Sequence, residues 1–229
     1  MALRPGVHFI TPTIPVHVFV GEAEGPTAIL QAGIHGDEIA GVHALQEWLE
    51  EGVSIPRGRL LVIPVMNPGA YRARQRKAPG GLDLNRCFPG QADDPQLENR
   101  LAHAFMQLIL EEKPALVATL HESQKRYDPA VQPSFGQTLV YGVEPRPAVV
   151  DFVVEAMNRE IASADEHWDH QYYPVATSST EVIVEATGCV GICVETWMGF
   201  PEPRRIAMQR RVVELLLHYF EMGDGKLAP

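Results

Sequence analysis

His35 and Glu38 lie three residues apart in the segment GIHGDE. The apolar run before this segment, residues 27–32, predicts a buried strand, and the amphipathic stretch after it, residues 39–49, predicts a helix. An imidazole and a carboxylate at such a strand-to-helix turn can converge on one point, and together they suit Zn²⁺. The same spacing also fits an ordinary helix N-terminus in which Asp37 and Glu38 lie beside the macrodipole.

A second imidazole follows another apolar run. Residues 115–120 predict a buried strand, and His121 comes directly after it. An isolated histidine at a strand end is commonly a satisfied core residue, but this one is expected in the same crevice as His35 and Glu38. Two His and one Glu, with one position open for water, form an established catalytic zinc set. We therefore expect one Zn²⁺ per chain on His35, Glu38 and His121.

Two further segments place polar side chains beyond predicted strands. A strand over residues 191–195 ends on the carboxylate of Glu195, and Asn85 and Arg86 lie in the long connection that follows a strand over residues 60–65. A connection of roughly twenty residues without periodicity is usually functional or disordered, and we interpret this one as functional. In a zinc hydrolase Glu195 would act as general base, and an arginine would stabilise the oxyanion. Asn85 and Arg86 would hold a substrate carboxylate.

Composition excludes several classes of function. With 19 basic and 29 acidic residues, the chain of 229 residues has a net charge of −10, which argues against nucleic-acid or anionic-membrane binding. No apolar run approaches the roughly 20 residues of a membrane span, and the first ten residues lack a signal pattern, so a cytoplasmic protein is expected. Cys87, Cys189 and Cys193 form no C-x-x-C pair and are expected to be reduced thiols. A cysteine enzyme built on Cys87 is a further alternative, although it needs an orienting base.

The order of elements predicts an α/β fold in a single domain over residues 1–229. Strands are predicted over residues 16–20, 27–32, 60–65, 115–120, 137–141 and 191–195, and helices over residues 39–49, 95–112, 147–161, 180–186 and 203–222. The first two strands are expected to form a hairpin. Residues 1–14 are expected to form a loop or an edge strand, and residues 167–170 a loop.

Taken in order, GIHGDE, NPGAY, GLDLNRCFPG, LHES and a late strand ending in Glu resemble the zinc carboxypeptidase superfamily, specifically its succinylglutamate desuccinylase/aspartoacylase branch. The resemblance spans about residues 27–197. It implies a mixed, mostly parallel twisted sheet with helices on both faces, in three αβα layers. It also implies the site residues: zinc ligands His35, Glu38 and His121, carboxylate-binding Asn85 and Arg86, and the catalytic carboxylate Glu195. The arginine that polarises the scissile carbonyl corresponds best to Arg76, with Arg74 as the alternative.

Two departures from the branch concern the substrate. Members that cleave acyl-aspartate or succinyl-glutamate continue into a C-terminal β domain over the site, whereas this chain stops after its last predicted helix, so we expect no such domain and an open cleft. Those members also place an arginine shortly before the catalytic Glu, where this chain reads TEVIVEATGCVGICVE. A dicarboxylate substrate is therefore in doubt. Glu181 and Glu185 in this stretch are interpreted as solvated, and a preference for a cationic or amide-rich substrate is the alternative.

The sequence thus favours a hydrolase that cleaves an amide next to a free carboxylate on a small molecule or peptide. Either a carboxypeptidase or an N-acyl amino acid deacylase fits, and an ester is open to the same attack by water. A protein of another class, which binds zinc or a carboxylate without turnover, is the alternative.

Overall fold

The computed structural model describes residues 2–223, which contain eight β-strands and six α-helices. The strands are β1 (Gly6–Thr11), β2 (Ile14–Val20), β3 (Ala23–Ala32), β4 (Arg57–Ile63), β5 (Leu116–Ser123), β6 (Thr138–Tyr141), β7 (Asp169–Tyr172) and β8 (Val190–Trp197). The α-helices are α1 (Ala40–Glu51), α2 (Pro68–Ala73), α3 (Leu97–Glu112), α4 (Ala148–Glu160), α5 (Ser179–Thr187) and α6 (Glu202–Tyr219). Within the described residues, no helix combines the length and apolar character needed to cross a bilayer.

All eight strands form one sheet, in the order β1-β2-β4-β3-β5-β8-β6-β7. The central strands β4, β3, β5 and β8 run parallel, and β6 pairs in parallel with β7. The pairs β1 with β2, β2 with β4, and β6 with β8 are antiparallel. The predicted mixed, mostly parallel α/β sheet is thereby confirmed.

Helices cover both faces of the sheet. Alternate residues of β3 point to opposite faces: Leu30 lies in an apolar cluster with residues of α1 and α6, and Ile29 lies in a cluster with residues of α3. Both side chains are fully buried. The continuous apolar run of β3 is therefore explained by burial on both sides.

The predicted hairpin between the strands at residues 16–20 and 27–32 is wrong, because β4 lies between β2 and β3. The turn after β2 passes directly over the start of β4. The N–H of Gly21 donates to the Gly58 carbonyl at 2.9 Å, and a Cβ on Gly21 would lie 2.4 Å from the Arg57 Cα. This close approach places β4 beside β2, and the hairpin partner of β2 is instead the edge strand β1.

Two predicted loops contain regular structure. The connection after β4 includes α2 and a 3₁₀ turn at Leu84–Arg86. The predicted loop at residues 167–170 is wrong, because β7 begins at Asp169. Trp168 is buried there, and its backbone N–H and carbonyl both bond to the side-chain amide of Asn158, at 2.7 and 2.9 Å. Neither the buried tryptophan nor this pairing has a periodic signal in the sequence.

Candidate active site

The predicted site residues meet at the carboxyl ends of the central parallel strands. His35 and Glu38 follow β3, His121 lies near the end of β5, and Glu195 lies directly opposite His121 in the β5–β8 register. The connection between β4 and α3 brings Arg76, Asn85 and Arg86 to the same place. All seven residues line one cleft of about 440 Å³. Ligands of open α/β sheets bind in this crevice.

Two glycines give the turn after β3 its shape. Gly33 has a φ of 65°, in the left-handed region that glycine adopts without strain. Gly36 donates to the Gln75 carbonyl at 3.0 Å, and a Cβ on Gly36 would lie 2.0 Å from the Ala70 carbonyl. Only glycine therefore fits between this turn and α2. The packing fixes the turn that carries His35.

The side chains of His35, Glu38 and His121 converge on one point. The Nδ1 atoms of His35 and His121 lie 2.6 Å from Oε1 and Oε2 of Glu38, respectively. The ligand atoms of the three residues lie within 4.8 Å of one another, and all three residues are buried. Two imidazole nitrogens and a carboxylate are donors found together in catalytic metal sites. The donor set therefore fits a metal ion.

The electrostatics of this cluster favour a charged carboxylate. Burial raises the pKa of Glu38, but the charges and hydrogen bonds of His35 and His121 outweigh it and hold the pKa well below its usual range. Burial lowers the pKa of His35, but Glu38 and Asp83 together raise it to about 9. The pKa of His121 is lowered, chiefly by burial. Because a metal ligand must be deprotonated, protons compete with a metal for the imidazole of His35.

Asp83 connects three of the predicted residues, although the sequence interpretation gave it no role. Its Oδ1 lies 3.2 Å from Nε2 of His35 and accepts from the backbone N–H of Asn85 at 3.0 Å. Its Oδ2 accepts from Nη2 and Nε of Arg76 at 2.9 and 3.1 Å. A carboxylate on the remote nitrogen of a histidine fixes the orientation of the ring. In the sequence, Asp83 could have been found only through its position in the segment DLNR.

The two competing arginines lie in different surroundings. Arg76 lines the cleft, with Nη1 3.6 Å from Oε1 of Glu38. Arg74 ends α2 in the left-handed conformation, and its guanidinium lies over the Tyr71 ring at 4.7 Å from the centroid. Arg74 is not among the residues that line the cleft. The geometry therefore favours Arg76 as the arginine that contacts a substrate.

Asn85 and Arg86 present hydrogen-bond donors at the edge of the cleft. The side-chain oxygen of Asn85 accepts from N and Oγ of Ser179 at 2.9 and 3.1 Å, which leaves its NH₂ group as a donor. Arg86 donates from Nη1 to the Asn85 carbonyl at 2.8 Å. An amide NH₂ beside a guanidinium suits a carboxylate.

Glu195 has the character of a proton acceptor. Its Oε1 lies 3.6 Å from Sγ of Cys193, and its buried Oε2 has no hydrogen-bond partner among the described residues. Burial, followed by the negative charge of Glu38, raises its pKa to about 8. Carboxylates with a raised pKa in a cleft are frequent general bases.

A buried network on the opposite face of β5 supports the cluster of His35, Glu38 and His121. The Glu122 carboxylate accepts from Arg205, from the Ala40 N–H at 2.9 Å and from Thr196 Oγ1 at 3.3 Å. Arg205 belongs to α6, whereas Ala40 begins α1, two residues after Glu38. The network therefore ties the segments that carry Glu38 and His121 to α6.

The remaining predicted residues are Glu181, Glu185 and Cys87, and they differ in whether they line the cleft. Glu181 is partly exposed and lines the cleft, whereas Glu185 is exposed and lies outside the cleft. Cys87 is buried, donates from Sγ to the Asp83 carbonyl at 3.3 Å, and has its pKa raised to about 11, chiefly by burial. It does not line the cleft. These surroundings argue against a thiolate nucleophile.

Comparisons with known proteins agree with this arrangement. Residues 24–128 match the model of the succinylglutamate desuccinylase/aspartoacylase catalytic domain. The N-alpha-acetyl-L-2,4-diaminobutyric acid deacetylase of Halomonas elongata is 40% identical over 99 residues, which are 42% of this chain and 28% of that protein.

Solved structures extend the likeness to most of the chain. A succinylglutamate desuccinylase/aspartoacylase from Rhodobacter sphaeroides superposes with a TM-score of 0.70 at 25% identity, over 93% of this chain and 60% of that one. The cell shape determinant protein Csd4 of Helicobacter pylori gives a TM-score of 0.82 at 20% identity, over 95% of this chain and 58% of that one. This chain thus spans less than two thirds of each relative. Residues 24–128 are thus similar to the catalytic domain of succinylglutamate desuccinylases and aspartoacylases, and the fold of the chain is similar to that of a solved protein of this group.

Proposed function

We propose that this chain is a zinc-dependent hydrolase that cleaves an amide bond, or an ester, next to a free carboxylate on a small molecule or peptide. Residues 1–229 would act as one hydrolase domain, with one Zn²⁺ on His35, Glu38 and His121. The observation that carries the proposal is the convergence of these three ligand groups within 4.8 Å, in the same cleft as Glu195.

Each residue of the cleft has a role in this reaction. Zinc would supply a Lewis acid and would lower the pKa of bound water towards roughly 7. Glu195 would take a proton from the attacking water and deliver it to the leaving nitrogen as the C–N bond breaks. Arg76 would donate hydrogen bonds to the oxyanion. Asn85 and Arg86 would hold the substrate carboxylate and so fix the amide in the cleft.

The named relatives support two versions of this chemistry. One is called a deacetylase of an N-acetyl amino acid, and a further solved Csd4 structure is called a D,L-carboxypeptidase. Removal of an N-acyl group and removal of a C-terminal residue both break an amide next to a carboxylate. Both versions therefore stand as alternatives within the proposal.

Metal content tests the foundation of the proposal. Elemental analysis of purified wild-type protein should find about one zinc per chain, and His121→Ala should lose it. His103→Ala is the matched control, because His103 lies on α3 and does not line the cleft. Wild-type protein that takes up no zinc after reloading would contradict the proposal.

Substrate form separates the two versions. A carboxypeptidase should cleave a peptide with a free C-terminus and lose that activity when the terminus is amidated. A deacylase should act only on N-acyl amino acids. Stoichiometric zinc without hydrolysis of either class, and no effect of Glu195→Gln, would favour the non-catalytic binding protein instead.

A further inference from the structure

Glu181 lies in the wall of the cleft formed by the first turn of α5. Its backbone N–H donates to Oγ of the capping residue Ser178 at 3.2 Å. The neighbouring Ser179 donates from N and Oγ to the side-chain oxygen of Asn85. The turn that carries Glu181 is therefore fastened to the loop that carries Asn85 and Arg86.

The Glu181 carboxylate packs against the backbone that follows β6. A Cβ on Gly142 would lie 1.9 Å from Oε2 of Glu181. Gly142 is not among the glycines with positive φ, so its backbone conformation is open to other residues. A larger residue at position 142 would instead collide with the Glu181 carboxylate. Tyr141 and Gly142 line the cleft beside it.

Within residues 2–223, no ion pair neutralises this acid. None of the salt bridges among residues 2–223 involves Glu181. Burial and the charge of Glu185 raise the pKa of Glu181, and only a hydrogen bond to the backbone of Val175 acts in the opposite direction. A cation brought by a ligand would supply a compensating positive charge.

We propose that Glu181 binds a positively charged group of the substrate. This group belongs to the same amino acid of the substrate whose carboxylate is held by Asn85 and Arg86. This inference rests on the proposed hydrolase function and names its substrate class: amides of diamino acids with a free side-chain ammonium. Because the turn of Glu181 is hydrogen-bonded to Asn85, the two charged subsites lie on the amino acid side of the scissile amide. The cationic group therefore belongs to the amino acid and not to the acyl group.

An isosteric pair of substrates tests the assignment. Nα-acetyl-L-ornithine and Nα-acetyl-L-norleucine differ in an ammonium against a methyl group at the side-chain end. Zinc-loaded wild-type protein should favour the ornithine derivative by about tenfold in kcat/KM, as expected for a hydrogen bond between charged groups. Glu181→Gln should reduce this ratio towards one. Glu185→Gln should keep the wild-type ratio, because Glu185 is exposed and lies outside the cleft.

Equal rates on both substrates for the wild type, or an unchanged ratio for Glu181→Gln, would overturn the inference and leave the hydrolase intact. If neither compound is hydrolysed, the deacylase version fails, and calorimetric binding of free L-ornithine and L-norleucine decides the role of Glu181. A preference for ornithine that disappears in Glu181→Gln supports the cation subsite without turnover. Equal affinities for the two amino acids overturn it.

Discussion

The two walls of the cleft differ in how firmly their polar groups are held. The metal wall, defined by His35, Glu38 and His121, is 3–5% exposed, and each of its side chains contacts another. The substrate wall, defined by Phe135, Tyr141, Tyr173 and Glu181, includes the 37% exposed Tyr173 and an acid without an ion pair. The first wall is organised before a ligand arrives. The second would obtain part of its contacts from the proposed substrate.

The sequence match to known proteins includes one of these walls and not the other. The catalytic-domain match covers residues 24–128, which include the whole metal wall and end before the substrate wall begins at Phe135. Glu195 also lies beyond this match, but β8 pairs with β5 in register and places it opposite His121. Residues that would fix the chemistry are thus held by the central sheet, whereas residues that would choose the substrate come from later segments.

Glu195→Gln should have the largest effect on activity, and it separates chemistry from metal binding. Glutamine keeps the shape of the side chain but cannot accept the proton, so kcat should fall by about 10²–10⁴-fold. Zinc content should stay at the wild-type value, because Glu195 is not one of the clustered ligands. Steady-state kinetics with elemental analysis checks both results. Loss of zinc in this variant would show that Glu195 belongs to the metal wall.

Arg205→Ala should reveal how much the metal wall depends on the network behind it. The variant leaves the fully buried carboxylate of Glu122 without its cation, which commonly costs about 3–5 kcal/mol of unfolding free energy. Urea denaturation of the zinc-loaded protein measures the change.

A surface ion pair supplies the control for this comparison. Arg146 pairs with Asp151 at 3.0 Å, and both side chains are more than one third exposed. Arg146→Ala should leave the denaturation midpoint close to that of the wild type. Similar midpoints for the Arg146 and Arg205 variants would contradict the idea that the buried network supports the metal wall.

Asp83→Asn should weaken metal binding without removing a ligand. The substitution removes the negative charge that Asp83 presents to His35 and Arg76. Loss of such an orienting carboxylate typically lowers metal affinity by about 10–100-fold. Competition with a chelator measures the affinity, and Asp93→Asn is the control because Asp93 is exposed and outside the cleft. Equal affinities for the two variants would show that Asp83 does not support the metal wall.

The sequence predicts the central sheet and the place of the site well, because both depend on local patterns. The apolar runs that became β3 and β5 are buried on both faces, and polar residues near the ends of parallel strands share one crevice. His35, Glu38 and His121 could be expected together for this reason. The resemblance favoured Arg76 over Arg74, but the residue pattern alone could not separate them, because Arg74 leaves the cleft through the left-handed backbone turn that ends α2.

Long-range pairing accounts for what the sequence did not predict. Nothing local shows that β4 lies between β2 and β3, since the close approach of Gly21 to Arg57 is a tertiary contact. Glu122 is an acid in an apolar strand, and its partner Arg205 lies 83 residues away. The place of Glu181 in the cleft likewise depends on the packing of its carboxylate beside Gly142 and on the hydrogen bond from the neighbouring Ser179 to Asn85, which no periodicity encodes.

Phe135→Ala should have the smallest effect and should be confined to the substrate wall. Phe135 contacts Tyr173 edge to face, with ring centroids 4.9 Å apart, and both rings line the cleft. Loss of this partly exposed apolar surface should raise KM by about threefold to tenfold, at the lower end of what an apolar pocket contact contributes. Zinc content should not change, because none of the ring contacts within residues 2–223 joins Phe135 or Tyr173 to His35 or His121.

Phe9→Ala is the control, since Phe9 is 63% exposed on the edge strand β1. A fall in zinc content for Phe135→Ala would show that the two walls are coupled, and an unchanged KM would show that the substrate does not reach this part of the cleft.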